Sequence, residues 1–559
     1  MRGLRTGLGL ALIGSLFALL VWRASVKPFW HDEIYTILEA QLPIATLWRA
    51  CLDGIDLQPP LNAILTRGVH LVVGVGPIAT RLPAISGFLL AMVLTFIIVG
   101  RRTNGLVASA AVLLLCTTQA WWLATDARGY GLTFGAFAIA LFAWTEAAAG
   151  RHTTRNWILL AVSVAAGIWA HYFFVLALVP IGLGEIVRQL WLRRFAVEPW
   201  LAVLAGIVLA MPLWSLAAAA SGQRSSFWAV PTWDVVRTYR HVAGAFLAYD
   251  VVIAILAVVG VVEITRRIRA QSWPRVIPSH EIAAAGGCLA IPLVGMLVGH
   301  WIGVFYVGYI TFAAVGFAIV LSMVAWALLP KNRAGGLLLA GTMVIAMLPV
   351  VNRSIPDGSR VGDAASEFPA VVDWLRGPEP IVFSGGLKYL EIWYALPEDA
   401  RPRFIYLADP EGSRRDLGHD TVELGYLALG RWTGVPAVPL REYIDAHPRF
   451  WLYVLGSRST LTTTLRDLGA QLIEQGRTRH GHDLSGRGTL YEVRTQARSA
   501  GSPATTSGGA SGAVSAAQHP ARLAAPKRMG YFTGNFGSAL ISRIWRTWRC
   551  SCVEMRSAH

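Results

Sequence analysis

Apolar runs long enough to cross a bilayer alternate with short polar stretches from the N-terminus to about position 350. A spanning helix needs roughly 17 to 25 mostly apolar residues. Such runs lie near 7–24, 82–100, 104–123, 129–149, 156–171, 172–189, 199–220, 246–265, 281–300, 304–329 and 334–351. The pattern predicts about eleven transmembrane helices. The stretch "LNAILTRGVHLVVGVG" at 61–76 is apolar too, but counting it as a span would move Arg101 and Arg102 to the outer side. It is therefore expected to lie on, or partly in, the outer leaflet. The first run lacks a small-residue cleavage site before Trp22, Arg23 and the loop at Pro28, so it is expected to stay as span one.

The pattern changes after residue 352. "PIVFSG", "RFIYLAD", "FWLYVLG", "AQLIEQG" and "GTLYEVRT" read as short strands separated by helical stretches such as "FPAVVDWLR" and "LREYIDA". Residues 353–495 thus form an expected α/β domain, external if the span count is odd. The segment 496–559 opens on Ser, Gly, Ala and Pro-rich sequence and is expected to be a disordered tail. Residues 1–352 are the membrane domain.

Composition agrees with the span reading. The chain has 559 residues, 54% hydrophobic and 15% charged, with mean hydropathy +0.50, against roughly 25% charged in an average soluble domain. The net charge of +16 raises the question of nucleic acid. Its distribution removes it. Basic residues cluster at alternate span ends, at Arg2 and Arg5, Arg101 and Arg102, Arg151 and Arg155, Arg188 with Arg193 and Arg194, Arg266 to Arg269, and Lys331 with Arg333. By the positive-inside rule those ends and the N-terminus are cytoplasmic, and no nucleic-acid partner is implied. Of the five cysteines, Cys116 and Cys288 lie in spans, Cys51 stands alone outside, and Cys550 and Cys552 are in the tail, a distribution with no disulfide framework or zinc spacing.

The opposite ends of the spans collect the chemistry. They carry His31, Asp32 and Glu33 in "FWHDEIYTIL", then Asp53, Asp56, Gln58-Pro59-Pro60, "DARGY" at 126–130, "HYF" at 171–173, and His300 with Trp301. Polar groups from six segments meet one membrane face, while mid-span positions stay apolar. A transporter more typically carries ionisable groups near the midplane. The pattern places a site at the external water–lipid boundary.

In order and spacing, "DE" after span one, the Pro-Pro loop, "ARGY" opening span four and "HYF" after span five resemble the polytopic glycosyltransferases of the C-type (GT-C) fold. The likeness is to the bacterial branch related to protein O-mannosyltransferases and lipid A aminoarabinose transferases. It covers roughly residues 8–190, weakens through 350 and does not reach the C-terminal domain. Such enzymes move a sugar from a polyprenyl-phosphate carrier to an acceptor on the outer face of the cytoplasmic membrane, usually with inversion. The resemblance implies a polyprenyl-phosphate-linked sugar donor and a protein, lipid or polysaccharide acceptor, with membrane lipid around both.

Asp32 matches the family's catalytic acidic position, where a carboxylate takes the proton of the attacking hydroxyl. The alternative is an N-cap for a helix beginning near Ile34. Glu33 joins Asp32 as a catalytic candidate, with hydrogen-bond support or helix-dipole complementarity as its expected part. Arg128 is the expected phosphate ligand, since its planar fork binds phosphate oxygens in pairs; the competing reading is an internal pair with Asp126 or Asp32. Tyr130 is placed beside the carrier or at the interface. The external loop 221–245 holds Arg224, Arg237, Arg240 and His241 among aromatics, with Arg240 a second phosphate candidate. It reads as a lid over the donor or as an amphipathic helix on headgroups. His171, Asp126 and Gln58 are acceptor-side or supporting candidates. Gln58 stands where many relatives carry His or Lys, so a charge or a metal ligand is lost there, and Asp56 reads as a substitute ligand or a solvated loop acid. No organic cofactor is implied; a divalent metal is left open. Two other functions fit the pattern: a cell-envelope polysaccharide ligase or polymerase, which more typically has a long Arg- and His-rich external loop, and a lipid-linked sugar transporter or flippase, which would release no polyprenyl phosphate.

Overall fold

The computed structural model describes residues 2–243, 278–328, 340–341, 343–344, 347–348, 379–455, 459–479 and 487–495. The expected span 246–265, most of 334–351, the stretch "FPAVVDWLR" and the tail lie outside them.

The apolar runs form α1 (Arg2–Val26), α2 (His31–Gln41), α3 (Ile44–Leu52), α4 (Leu61–Val73), α5 (Pro77–Arg102), α6 (Gly105–Cys116), α7 (Ala120–Leu123) and α8 (Tyr130–Ala148). They continue as α9 (Thr153–Ala170), α10 (Leu178–Leu192), α11 (Glu198–Ala210), α12 (Trp214–Ser221), α13 (Val235–Ala243), α14 (Ser279–Ile302) and α15 (Ala313–Leu328). Among the described residues six segments are long and apolar enough to cross a membrane: 6–26, 77–102, 130–148, 172–192, 198–221 and 279–302. The expected span 104–123 is broken. The hydroxyls of Thr117 and Thr118 bond back to the carbonyls of Leu114 and Leu115, closing α6 three residues before α7 opens.

The apolar segment at 61–76 appears as α4, 13 residues long. At 1.5 Å per residue it rises about 20 Å, short of the roughly 30 Å hydrocarbon core. A topology reporter fused after Gly76 is therefore expected to read the outer side, and one fused after Arg102 the cytoplasm. A cytoplasmic signal after Gly76 would split the residues here placed on one face.

α5 and α8 pack closely because small residues face one another. A Cβ on Gly131 would lie 2.2 Å from the Ala84 carbonyl oxygen, and one on Gly87 2.3 Å from that of Gly131. Approach through small residues is the usual route between helices in lipid, where apolar burial alone does not drive association. Phe88, Trp121, Phe134 and Phe137 fill the core beside the seam. The seam brings the first turns of both helices, Arg81 and Tyr130, to the same end as α2.

The C-terminal region holds a six-stranded sheet of β1 (Ile381–Ser384), β2 (Phe404–Ala408), β3 (Ala437–Pro439), β4 (Arg449–Leu455), β5 (Gln471–Arg479) and β6 (Arg487–Arg494), in the order β3-β2-β1-β4-β6-β5. The first four are parallel; β6 runs antiparallel to β4 and β5 to β6. β3, three residues ending on Pro439, was too short to stand out in the sequence. The helix Thr421–Thr433 packs against the membrane helices. Asp53 accepts from Arg431 (2.8 Å) and the Trp432 indole (3.1 Å), and Tyr426 meets the His31 ring edge-on at 5.5 Å.

Candidate active site

α2 starts at His31, with Trp30 in the extended conformation at its N-cap. Asp32 is therefore the second helical residue, which corrects the N-cap reading. Glu33, one position on, reaches back to the Trp30 amide (3.3 Å). The Glu33 side chain has no exposure. Its two oxygens take the Arg81 fork, Nε to Oε1 and Nη2 to Oε2, both at 2.7 Å, and Oε1 also accepts the Ala127 amide at 2.9 Å. Arg81 donates further to the carbonyls of Ala24, Lys27 and Pro28. Burial would raise the Glu33 pKa, but Lys27, Arg81 and the Ala127 amide hold it below the ordinary carboxylate range.

The Ala127 peptide is held on both sides. Its N–H goes to Glu33, and its carbonyl accepts Thr36 (2.7 Å) and Asn62 (2.8 Å). Gly129 follows because a Cβ there would lie 2.3 Å from the Ala170 carbonyl oxygen. Arg128, between these fixed points, is aimed at Asp56 and Asp32. Its Nη1 donates to Asp56 Oδ2 at 2.6 Å, and Nε lies 4.0 Å from Asp32 Oδ2. Asp56 is positioned by the Gln58 amide, which donates to its Oδ1 at 3.1 Å. Asp56 is thus a half-buried ion-pair partner of Arg128 rather than a solvated loop acid. Asp126 instead pairs with Lys27.

Two polar side chains here are not saturated by the protein. The Asp32 side chain is 31% exposed, the most open of this group, with His31 Nδ1 at 2.9 Å. Arg128 Nε is buried without a hydrogen-bond partner, as is His31 Nε2. Desolvation would raise the Asp32 pKa; the His31 hydrogen bond and the Arg128 charge outweigh it and keep the carboxyl ionised below its ordinary value. Arg128 is held protonated by Asp56 and Asp32 against the opposing effect of burial.

Aromatic rings pack beside this group. Tyr130 stacks on His171 at 5.8 Å, His171 meets Tyr309 at 4.7 Å, and Tyr309 meets Tyr306 at 5.5 Å. His171 is buried, and its Nδ1 accepts the Phe173 amide, turning the chain at the end of α9. Tyr130 faces this stack and not the lipid. The 221–243 segment joins the wall: Trp228 contacts Tyr306 (5.2 Å), Trp233 stacks on His300 (3.6 Å), and the Phe305 amide bonds Ala229. Arg240 is exposed on α13. Arg237, on the same helix, lies with Asp32 and Asp126 within electrostatic reach of Tyr306.

Sequence reading missed Arg81, Lys27 and Glu39. Arg81 and Lys27 had a signal, basic charge at the outer span ends against the positive-inside tendency. Glu39 had none. It is buried on α2 with Oε1 unpartnered, and burial together with the Asp56 charge raises its pKa well above the ordinary range. A raised folded-state pKa gives stability that is present below the unfolded value of about 4.3 and lost as pH rises above it. Glu39→Gln keeps the neutral form at every pH, so its melting temperature should gain on the parent's as pH rises above about 4.3. Parallel curves would mean that Glu39 titrates normally.

Among the described residues no three His, Cys, Asp or Glu side chains converge as a metal site, and both Asp32 and Asp56 face Arg128.

No family profile matches the chain, and no curated protein matches it in sequence. Solved structures do. ArnT from Cupriavidus metallidurans in the apo state superposes with a TM-score of 0.57 at 11% identity, over 87% of this chain and 98% of that one. The same protein bound to undecaprenyl phosphate gives 0.55 at 12% identity, with the same coverage. At these identities the likeness speaks to the fold, and at 87% of the chain it reaches into the C-terminal domain that sequence motifs did not reach. The chain is a multi-pass membrane protein with the C-type glycosyltransferase fold.

Proposed function

We propose that this protein transfers a sugar from a polyprenyl-phosphate carrier to an acceptor hydroxyl on the outer face of the cytoplasmic membrane. The observation that carries the reading is one pair: a partly exposed, ionised Asp32 whose carboxylate lies 4.0 Å from the buried Nε of Arg128, an ion pair in which that Nε makes no hydrogen bond. A carboxylate to take a proton and a guanidinium to meet a phosphate are the two groups such a transfer needs. The acceptor oxygen attacks the anomeric carbon, and its proton passes to Asp32. The carbon–oxygen bond to phosphate breaks, and the electron pair leaves on the phosphate oxygen, where Arg128 neutralises it. Asp56 holds the Arg128 fork by one edge and leaves Nε toward the cleft. Glu33 acts through Ala127 and Arg81 as a positioning residue. Tyr130, His171 and the 221–243 segment close the cleft to water, with Arg240 and Arg237 at its rim. In this reading the α/β domain lies on the outer side as a roof over the site, and the contact of Tyr426 with His31 supports it. The ArnT structure with undecaprenyl phosphate supports a lipid-linked donor by analogy of fold.

The test is release of polyprenyl phosphate by the purified protein, with mass analysis of the prenyl-phosphate sugars that accumulate in cells lacking it. A transporter would release none. At the phosphate, Arg128→Lys keeps the charge and loses the fork, so donor turnover should fall partly, whereas Arg128→Ala should fall further, by roughly 10²-fold or more as when a transition-state donor is removed. Near-normal rates in both would move the phosphate to Arg237 or Arg240.

A further inference from the structure

A second cavity lies at the far ends of the same helices. It is about 630 Å³ and is lined by α5, α8, α14 and α15, within the range of roughly 300–1,000 Å³ that accommodates a small ligand. Its shaft is apolar, running past Phe142, Cys288, Ile319, Val320 and Val324. Its mouth is charged. Glu146 is shared by two guanidiniums, pairing with Arg101 and taking the Arg151 fork at 2.5 and 2.8 Å, while Arg102 pairs with Glu281. Three arginines against two carboxylates leave one positive charge in excess. Arg101 and Arg151 are about half exposed, and the Arg101 guanidinium lies over the Phe142 ring, at the boundary of shaft and mouth.

This cavity is not part of the Asp32 cleft. Arg81 and Arg101 are both on α5, and the twenty residues between them rise about 30 Å, the thickness of the hydrocarbon core. A lipid whose phosphate lies at one mouth cannot reach the other. We propose that the cavity binds an anionic diacyl phospholipid of the leaflet opposite the Asp32 cleft, its phosphodiester on Arg101 and Arg151 and an acyl chain in the shaft. The occupant follows from the two chemistries that line the cavity: apolar side chains of four helices, and surplus guanidinium at the helix ends, where an anionic surface adds about fivefold in affinity per basic residue. Binding there clamps α5, α8, α14 and α15 from the side away from the cleft.

The test uses the full-length protein in micelles of neutral lipid and detergent, titrated separately with dioleoyl phosphatidylglycerol, dioleoyl phosphatidylcholine and inorganic phosphate while melting is followed. A photoreactive acyl-chain analogue of the phosphatidylglycerol then maps the contact. The expected result is a saturable rise in melting temperature with phosphatidylglycerol alone and labelling of α15. The Arg101→Gln/Arg151→Gln variant should bind roughly 25-fold more weakly, fivefold for each lost charge. Val324→Trp narrows the shaft from an exposed position and should lose the labelling while keeping the charged mouth. An equal rise with phosphatidylcholine, a rise with inorganic phosphate, or unchanged binding and labelling in both variants would overturn the proposal. Because the readouts are melting and labelling, a failed transferase assay leaves them intact.

Discussion

Asp32→Asn is expected to slow sugar transfer by at least about 10²-fold while the protein still inserts, folds and binds its lipid-linked donor. The substitution keeps the size of the side chain and removes its charge and basicity. Capping does not confound it, because Trp30 and not Asp32 is the N-cap of α2. The Asn side chain can still face His31 Nδ1 and leaves the Glu33–Arg81 pair untouched, so the loss should appear in the rate and not in the amount of folded protein. The pH dependence gives a separate reading. His31 and Arg128 keep the Asp32 carboxyl below its ordinary value, so the acid limb of the parent's activity should fall below about pH 4, the usual Asp midpoint, and should be absent from the residual activity of the Asn variant. Wild-type turnover in purified Asp32→Asn would remove Asp32 from the chemistry and leave it an N-terminal helix acid.

The part of this site that could be read in sequence is the part built from local order. "DE" after one apolar run and "DARGY" at the start of another announce charged groups at span ends, and the structure brings Asp32 and Arg128 together. Their partners were a different matter. Arg81 finds Glu33 across 48 residues, and Arg128 finds Asp56 across 72. Those pairings are fixed by how closely α5 seats against α8 through Gly87 and Gly131, which no periodicity along one helix reveals. The same holds for the α/β domain: five of the six strands stood out as apolar runs, but the seating of Tyr426 over His31 depends on a helix face 395 positions further along. Local hydrogen bonds overrode apolar pattern at two places. The Glu33 reach to the Trp30 amide moved the start of α2 to His31, and the Thr117 and Thr118 hydroxyls ended α6 inside a run that read as one span.

The largest stability effect is expected at Glu33. Its carboxylate and the Arg81 guanidinium are both fully buried, and removing one member of a buried pair typically costs about 3–5 kcal/mol because the other charge stays behind uncompensated. Glu33→Gln can still accept a hydrogen bond from Arg81, but not as a charge partner, so thermal melting of the purified protein should fall well below that of Asp32→Asn. Arg81→Met should be at least as severe, since the carbonyls of Ala24, Lys27 and Pro28 lose their donor as well. A double-mutant cycle separates the pair from those carbonyls: Glu33→Met with Arg81→Met should cost less than the sum of the single changes, with a coupling of about 1–3 kcal/mol. Activity measured below the melting range should drop too, though less than in Asp32→Asn, because Glu33 orients Arg128 only through the Ala127 amide. If Glu33→Gln melts with the parent and the cycle shows no coupling, the pair is not what holds the "DARGY" loop, and the position of Arg128 must come from Thr36, Asn62, Gly129 and Asp56.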